Sequence, residues 1–291
     1  MLVDAHAHFW DPAKGLYPWM TSVDPVLAME FGPDGMAPTV HELSVDSVVL
    51  AQARSSLDET RELLAVAAAW DWVGGVIGWV DLTAPDVADT IAWLRAGPGG
   101  QFLRAIRHQA NEETDPHWLA RDDVIKGTRA ALDSGLAVDL LCWPRELPAA
   151  LELLEALPDS RLVLDHLGKP PVDQHQGWKG SWTQLVRRAA RHDSLMVKLC
   201  GLLYEAPPHL QNLDNFRPYL DIVLEAFGPN RLMFGSDWPV SVRSTSSYRL
   251  WLDMVFAVID DLSPSEKASV LGGAADRFYR LGLEESTEAT T

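Results

Sequence analysis

Met1-Leu2-Val3-Asp4-Ala5-His6-Ala7-His8-Phe9 opens the chain. A short, mostly apolar run closes on two histidines at i and i+2. On a β-strand, residues two apart point to the same face. Both imidazoles therefore share one space, at the end of a strand that begins almost at residue 1. Seven further runs have the same form, at 45–54, 72–81, 103–109, 136–143, 161–167, 195–202 and 231–237. Each begins with aliphatic residues and ends in polar, glycine or aromatic ones. Between them lie segments rich in Ala, Leu, Glu and Arg with helical spacing, at 57–70, 84–96, 116–134, 147–157, 182–192, 215–227 and 248–262.

Strand alternating with helix implies parallel strands joined by right-handed crossovers. Eight such units in 291 residues predict an α/β fold, a (β/α)8 TIM barrel, with its site at the C-terminal ends of the strands. A doubly wound open sheet is the alternative, weakened because no Gly-rich dinucleotide turn follows the first strand. No linker or composition shift divides the chain. Residues 1–283 therefore read as one domain, and the polar stretch 284–291 as a flexible tail. The irregular stretches 11–38 and 167–181 both follow strands, so both overhang the mouth of a barrel, the first as a lid or pocket wall.

Composition narrows the partners. With 24 basic and 41 acidic residues the net charge is −17, which argues against nucleic-acid or anionic-membrane partners. No apolar run approaches the ~18 residues of a membrane span, and the N-terminus lacks the charge and apolar pattern of a leader. The two cysteines, Cys142 and Cys200, form no disulfide framework, so a reducing, cytoplasmic setting is expected. Nothing in the sequence decides the oligomeric state, with a homodimer as one option.

The strand ends carry the chemistry. His6 and His8 follow the first strand, Arg54 the second, Asp81 the third, and Arg107-His108-Gln109 the fourth. Asp139, Cys142 and Trp143 lie on the fifth, His166 and Lys169 follow the sixth, Lys198 is on the seventh, and Asp237 ends the eighth. Inward charges cost several kcal/mol each unless paired, hydrated or metal-bound. In a closed barrel the first and eighth strands are neighbours, so Asp237 approaches His6 and His8. These three suit one divalent ion with open positions. Alternatively Asp237 is a general base toward water, with His166 orienting water or substrate. Among twelve tryptophans, Trp10, Trp19, Trp143 and Trp238 flank polar motifs, where an indole either stacks on a sugar or packs the rim. Lys169 either contacts substrate or closes its turn, Arg54 could bind substrate, and Lys198 reads as half of an ion pair inside the barrel. Cys200 reads as a buried, inert thiol. His175 is the loop histidine placed to overhang the mouth.

Six ordered segments resemble the amidohydrolase superfamily, more narrowly the branch that contains sugar lactonases and 2-pyrone-4,6-dicarboxylate lactonase. They are residues 4–12 (DAHAHFWDP), 17–19 (YPW), 106–109 (IRHQ), 164–170 (LDHLGKP), 197–202 (VKLCGL) and 234–240 (FGSDWPV). The resemblance implies a barrel with His6 and His8 on strand one, His166 on strand six, and Asp237 as the strand-eight water activator. It also implies Arg107 and His108 as a carbonyl- or substrate-contacting pair. The chain departs from the family at Ala7, where Gln is common, at Cys200, where Ser is common, and at 272–275, where a segment usually carries Asn. Two-metal members bridge their ions with Lys or Glu on strand four and add a His on strand five. This chain has Arg107-His108 and Asp139 there, which leaves at most one metal.

The reading that follows is a hydrolase opening a small, sugar-derived lactone. Asp237, His166, His108 and Arg107 are its expected catalytic groups. Arg54, Trp19, Trp143, Lys169 and Trp238 are its expected substrate contacts. His6, His8 and Asp237 would hold one Zn or Mn ion that turnover need not require. The alternative is a metal-dependent decarboxylase of a small unsaturated or aromatic acid, against which the missing strand-five His counts. A non-catalytic ligand-binding barrel is the third reading.

Overall fold

Eight parallel strands pair in sequence order: β1 (Val3–Ala7), β2 (Ser47–Ala51), β3 (Val73–Gly78), β4 (Leu103–Gln109), β5 (Ala137–Leu141), β6 (Leu162–Leu164), β7 (Met196–Leu199) and β8 (Leu232–Phe234). The computed structural model describes residues 1–15, 17–20, 25–172, 177–242 and 247–283. His175 and the tail 284–291 lie outside the described residues. Beyond β8 the chain returns to β1 through a parallel bridge of Ala7 with Trp238. The Asp237 amide donates to the His6 carbonyl at 2.8 Å, and the His8 amide to the Trp238 carbonyl at 2.6 Å. The sheet is thereby drawn into the barrel that the strand–helix alternation predicts.

The helices between strands are α1 (Pro33–Glu42), α2 (Leu57–Ala69), α3 (Val87–Ala96), α4 (Asp122–Asp133), α5 (Leu147–Ala156), α6 (Gly177–Ala189), α7 (Leu202–Glu205), α8 (Leu213–Phe227) and α9 (Tyr248–Val258). The first half of α1 overlaps the stretch 11–38 expected to be irregular. Pro33 sits in its first turn, where a missing N–H costs nothing, while Pro38 inside it masks the helical pattern. After α9 come α10 (Pro264–Ala268), a π-turn and α11 (Ala274–Tyr279), also absent from the sequence reading. A capping box of Ser263 and Glu266 starts α10. Ala274, Ala275, Phe278 and Tyr279 pack against Val49, Ile77, Ala105, Ala137, Val163 and Met233, the small apolar residues lining the barrel interior. α11 therefore closes the end of the barrel opposite the strand C-termini. Among the described residues no helix is long and apolar enough to cross a membrane.

One irregularity in β1 shapes the site. Asp4 pairs with Val48, but Ala7 pairs with Leu50, so β1 carries an extra residue. Val3 and Ala5 pack with the interior residues, while Ala7 packs outside. His6 follows Ala5 yet also faces inward, because the bulge shifts the phase of alternation. Outward-facing Asp4 accepts from the His6 amide at 3.1 Å and the Ser236 amide at 2.8 Å, tying the bulge to the end of β8.

Candidate active site

A cavity of about 490 Å³ opens at the C-terminal ends of the strands. Its wall includes His8, Arg107, His166, Lys169 and Asp237, together with Trp19 and Trp143. His6 is fully buried beneath, with its Nε2 3.1 Å from His8 Nε2. Asp237 Oδ1 lies 3.4 Å from His8 Nε2 and 3.9 Å from His6 Nε2. Residues from strands one, six and eight thus converge as expected.

Other expected members go elsewhere. Arg107 faces inward on β4, so His108, its neighbour, faces outward. The His108 ring stacks on Trp118 at 3.9 Å, takes the Trp79 indole N–H at 3.2 Å, and meets Glu113 at 2.8 Å. It does not line the cavity and is corrected to the helix-facing side of the barrel. Trp238 is also turned away, packed edge-to-face on Phe9 and Phe31. Arg54 lies against Glu59 and over the Tyr17 ring, outside the cavity wall. Arg107 reaches the wall with both terminal nitrogens engaged: Nη1 bonds Asp165 at 3.0 Å and His6 Nε2 at 3.1 Å, and Nη2 bonds the Gln52 carbonyl.

Below the cavity floor is a buried charge network. Lys198 Nζ donates to Asp139 at 2.5 Å, and lies 2.9 Å from His6 Nδ1 and 3.1 Å from Asp165 Oδ1. The ion pair expected of Lys198 is present. Tyr279 Oη donates to Asp139 from α11 at 3.0 Å. Two cations face two carboxylates, so the network is near neutral and each charge is paired. Burial alone would raise the Asp165 carboxyl, but Lys198, His6 and Arg107 outweigh it and hold it well below the usual range. Asp165 was not singled out from sequence, although its spacing from inward-facing Val163 marks it.

Electrostatics define the roles. Burial would raise Asp237, but His166, His8 and Lys169 outweigh it and hold the carboxyl below its ordinary value. Burial pushes His166 down to about 4, so it is neutral near pH 7. Burial likewise lowers His6 and His8. Burial raises the Cys200 thiol, which stays S–H and lies 3.1 Å from His166 Nδ1. The thiol donates, Nδ1 accepts, and the ring proton of neutral His166 is left on Nε2. Gly201 leaves room for this contact: a Cβ there would lie 2.5 Å from His166 Nδ1.

Backbone strain sits at the same strand ends. His166, Leu167, Gly168 and Lys169 are successively left-handed, with φ of 52°, 57°, 70° and 49°. Asp237 is left-handed as well, at 56°. Each non-glycine residue there costs about 1–2 kcal/mol. The left-handed turn sends both His166 and Lys169 to the cavity wall.

His6, His8 and Asp237 present a donor set of the kind that holds a single divalent ion. His8 Nδ1 donates to the Ala51 carbonyl at 2.8 Å, which leaves Nε2 a free lone pair. His6 has Lys198 and Asp165 at Nδ1 and Arg107 Nη1 at Nε2, so an ion taking the Nε2 lone pair would displace the Arg107 bond. Donor atoms around a tetrahedral zinc sit roughly 3.3 Å apart, close to the spacings of His6, His8 and Asp237. These three fit one ion. Asp165 and His166 form a second grouping with His6. There Asp165 is held by Arg107 and Lys198, and His166 Nδ1 lies against Cys200 Sγ.

An L-fucono-1,5-lactonase of Burkholderia ambifaria is 35% identical over 282 residues, covering 96% of this chain and 95% of its own. A crystal structure of an amidohydrolase from Burkholderia multivorans with bound zinc superposes with a TM-score of 0.87 at 33% identity, covering 96% of this chain and 99% of that one. 5-Carboxyvanillate decarboxylase from Sphingomonas paucimobilis shares the fold alone, with a TM-score of 0.64 at 14% identity over 96% of this chain and 98% of that one. The amidohydrolase family model matches residues 3–281, so from its first strand to its last helix the chain belongs to the amidohydrolase family.

Proposed function

We propose that this protein is a hydrolase that opens a small, sugar-derived lactone with water activated by Asp237. The observation that carries the reading is Asp237 itself. It is a buried carboxylate on the cavity wall, kept ionised by its neighbours and 3.4 Å from a neutral imidazole. Such a group can take a proton from water. The relatives named L-fucono-1,5-lactonase support a cyclic ester as substrate.

Water adds to the lactone carbonyl carbon while Asp237 accepts its proton. His166 Nε2–H donates to the developing oxyanion, and the paired Arg107 supports the charge from below. The tetrahedral adduct collapses, the ring C–O bond breaks, and the leaving alkoxide takes the proton back from Asp237. The product is an open hydroxy acid. This gives His166 the carbonyl-polarising role first expected of Arg107 and His108. His6, His8 and Asp237 would hold a divalent ion such as Zn or Mn, which when bound supplies Lewis acidity and a more acidic water.

A decarboxylase is the less favoured reading. Its substrate is an anion, and among the described residues both cations on the cavity wall are already paired: Arg107 with Asp165, Lys169 with Glu205. The test is a pH-indicator assay of aldonolactones, with and without chelator. Acid release from lactones supports the proposal; carbon dioxide release from an aromatic acid with no lactone opened would refute it.

A further inference from the structure

Lys169 and Glu205 form an ion pair that exchanges no proton in the proposed reaction, although Lys169 also helps hold the Asp237 carboxyl below its ordinary value. Lys169 Nζ donates to Glu205 Oε1 at 2.6 Å, and both side chains line the cavity, about 10% exposed each. The ammonium lies 4.9 Å from the centre of the Trp143 ring and 5.8 Å from that of Tyr204. The left-handed backbone of Lys169 ends the strained turn that also places His166. Glu205 comes from beyond the neighbouring strand β7, at the end of the short helix α7.

The pair has a definite recognition chemistry. An ammonium has three donors and no acceptor, and a carboxylate has only acceptors. Glu205 uses one donor of Lys169, and the pair keeps both kinds of group at the cavity. A carboxylate brought to Lys169 would meet Glu205 and be repelled. A hydroxyl both accepts and donates, so two neighbouring hydroxyls can accept a hydrogen bond from Lys169 and donate one to Glu205. The flanking rings supply flat apolar faces for the carbon skeleton between.

We infer that the Lys169–Glu205 pair, flanked by Trp143 and Tyr204, is a reader of adjacent hydroxyl groups that selects an uncharged, vicinally hydroxylated ring. This rests on the reading of the cavity as a lactonase site and specifies what that site prefers. A site built to bond hydroxyls rejects an analogue lacking them, because its own polar groups lose their partners.

The test compares an aldonolactone with its counterpart lacking two adjacent hydroxyls. Wild-type kcat/KM should fall by about ten- to a hundredfold on their removal. Glu205→Gln and Lys169→Met should collapse that ratio, and equal losses on both substrates, leaving the ratio intact, would overturn the inference. Calorimetric binding of a cyclic anhydroalditol, a ring of hydroxyls with no ester, needs no turnover and no variant. It should bind the wild-type enzyme more tightly than its deoxy counterpart, and equal affinities would also overturn the inference. Hydroxyl-dependent binding without opening of any lactone would sink the lactonase reading and sustain this one. Turnover indifferent to the hydroxyls would do the reverse.

Discussion

The amide of Asp237 donates to the carbonyl of His6 at 2.8 Å, and this backbone bond brings the last strand end of the barrel against the first. It sets the Asp237 carboxylate beside His8, with the Asp4 side chain holding the adjoining Ser236 amide. Asp237→Asn keeps that backbone bond and the side-chain shape while removing the base. Lactone hydrolysis should drop by about 10²–10⁴-fold, the usual worth of a general base. Thermal melting, followed alongside, should change little. Near-full activity in the variant would show that water is activated elsewhere.

Cys200 is expected to act through His166. Its thiol contacts Nδ1 at 3.1 Å and fixes the Nε2–H tautomer. Cys200→Ser retains a donor and should keep kcat; Cys200→Ala should lower kcat more than it changes KM. Nitrogen NMR of labelled histidine should report Nε2–H in the wild type and a mixture of tautomers in Cys200→Ala. Gly201→Ala should do more damage, since its Cβ would lie 2.5 Å from Nδ1 on a backbone with φ of 82°.

The pH profile follows from the two shifted groups. Asp237 is held below its ordinary value, so its carboxylate persists as pH falls and is lost only through that lowered range. His166, pushed to about 4 by burial, stays neutral above that pH. The acidic limb of kcat/KM should therefore lie in the carboxylate range, with no inflection near 6.5, the value of an unperturbed histidine. A limb at 6.5 in a stopped-flow titration would mean that an ordinary histidine controls the rate.

Chelation should leave most of the lactonase activity in place. His166, His8 and Lys169 hold the Asp237 carboxyl below its ordinary value with no ion among them, and His6 Nε2 already has Arg107 Nη1 at 3.1 Å. Added zinc should raise the melting temperature in proportion to its affinity for His6, His8 and Asp237. His8→Ala should abolish that stabilisation. Complete, zinc-reversible inactivation by chelator would make the ion obligatory.

Lys198 is predicted to matter for stability before chemistry. It is fully buried between Asp139 and Asp165. Lys198→Met leaves two buried carboxylates without their shared cation, a loss of about 3–5 kcal/mol. Denaturant unfolding would measure it, and a change below about 1 kcal/mol would place the pair among weak, exposed-type ion pairs.

Much of this was legible in the chain. All eight apolar runs became strands, because an aliphatic run bounded by polar residues has few other ways to be buried. The period of two put His6 and His8 on one side, and strand order made Asp237 their neighbour. That same period separates Arg107 from His108, since adjacent strand residues face opposite ways. Helix α1 was obscured by its internal Pro38, and α10 and α11 follow the last strand, beyond the alternation that guided the reading.

By itself, then, the sequence determined the barrel and the strand ends at which polar groups gather, because periodicity and burial are local properties of a run. Only the tertiary structure decided which of those groups meet. The β1 bulge turned His6 inward directly after Ala5, and barrel closure set the distance from Asp237 to the histidines. Packing sent Trp238 and Arg54 away from the cavity. Asp165 gained Arg107 and Lys198 from two other strands, and Lys169 found Glu205 beyond the neighbouring strand. Such pairings depend on register and on remote strands, and no local pattern of residues encodes either.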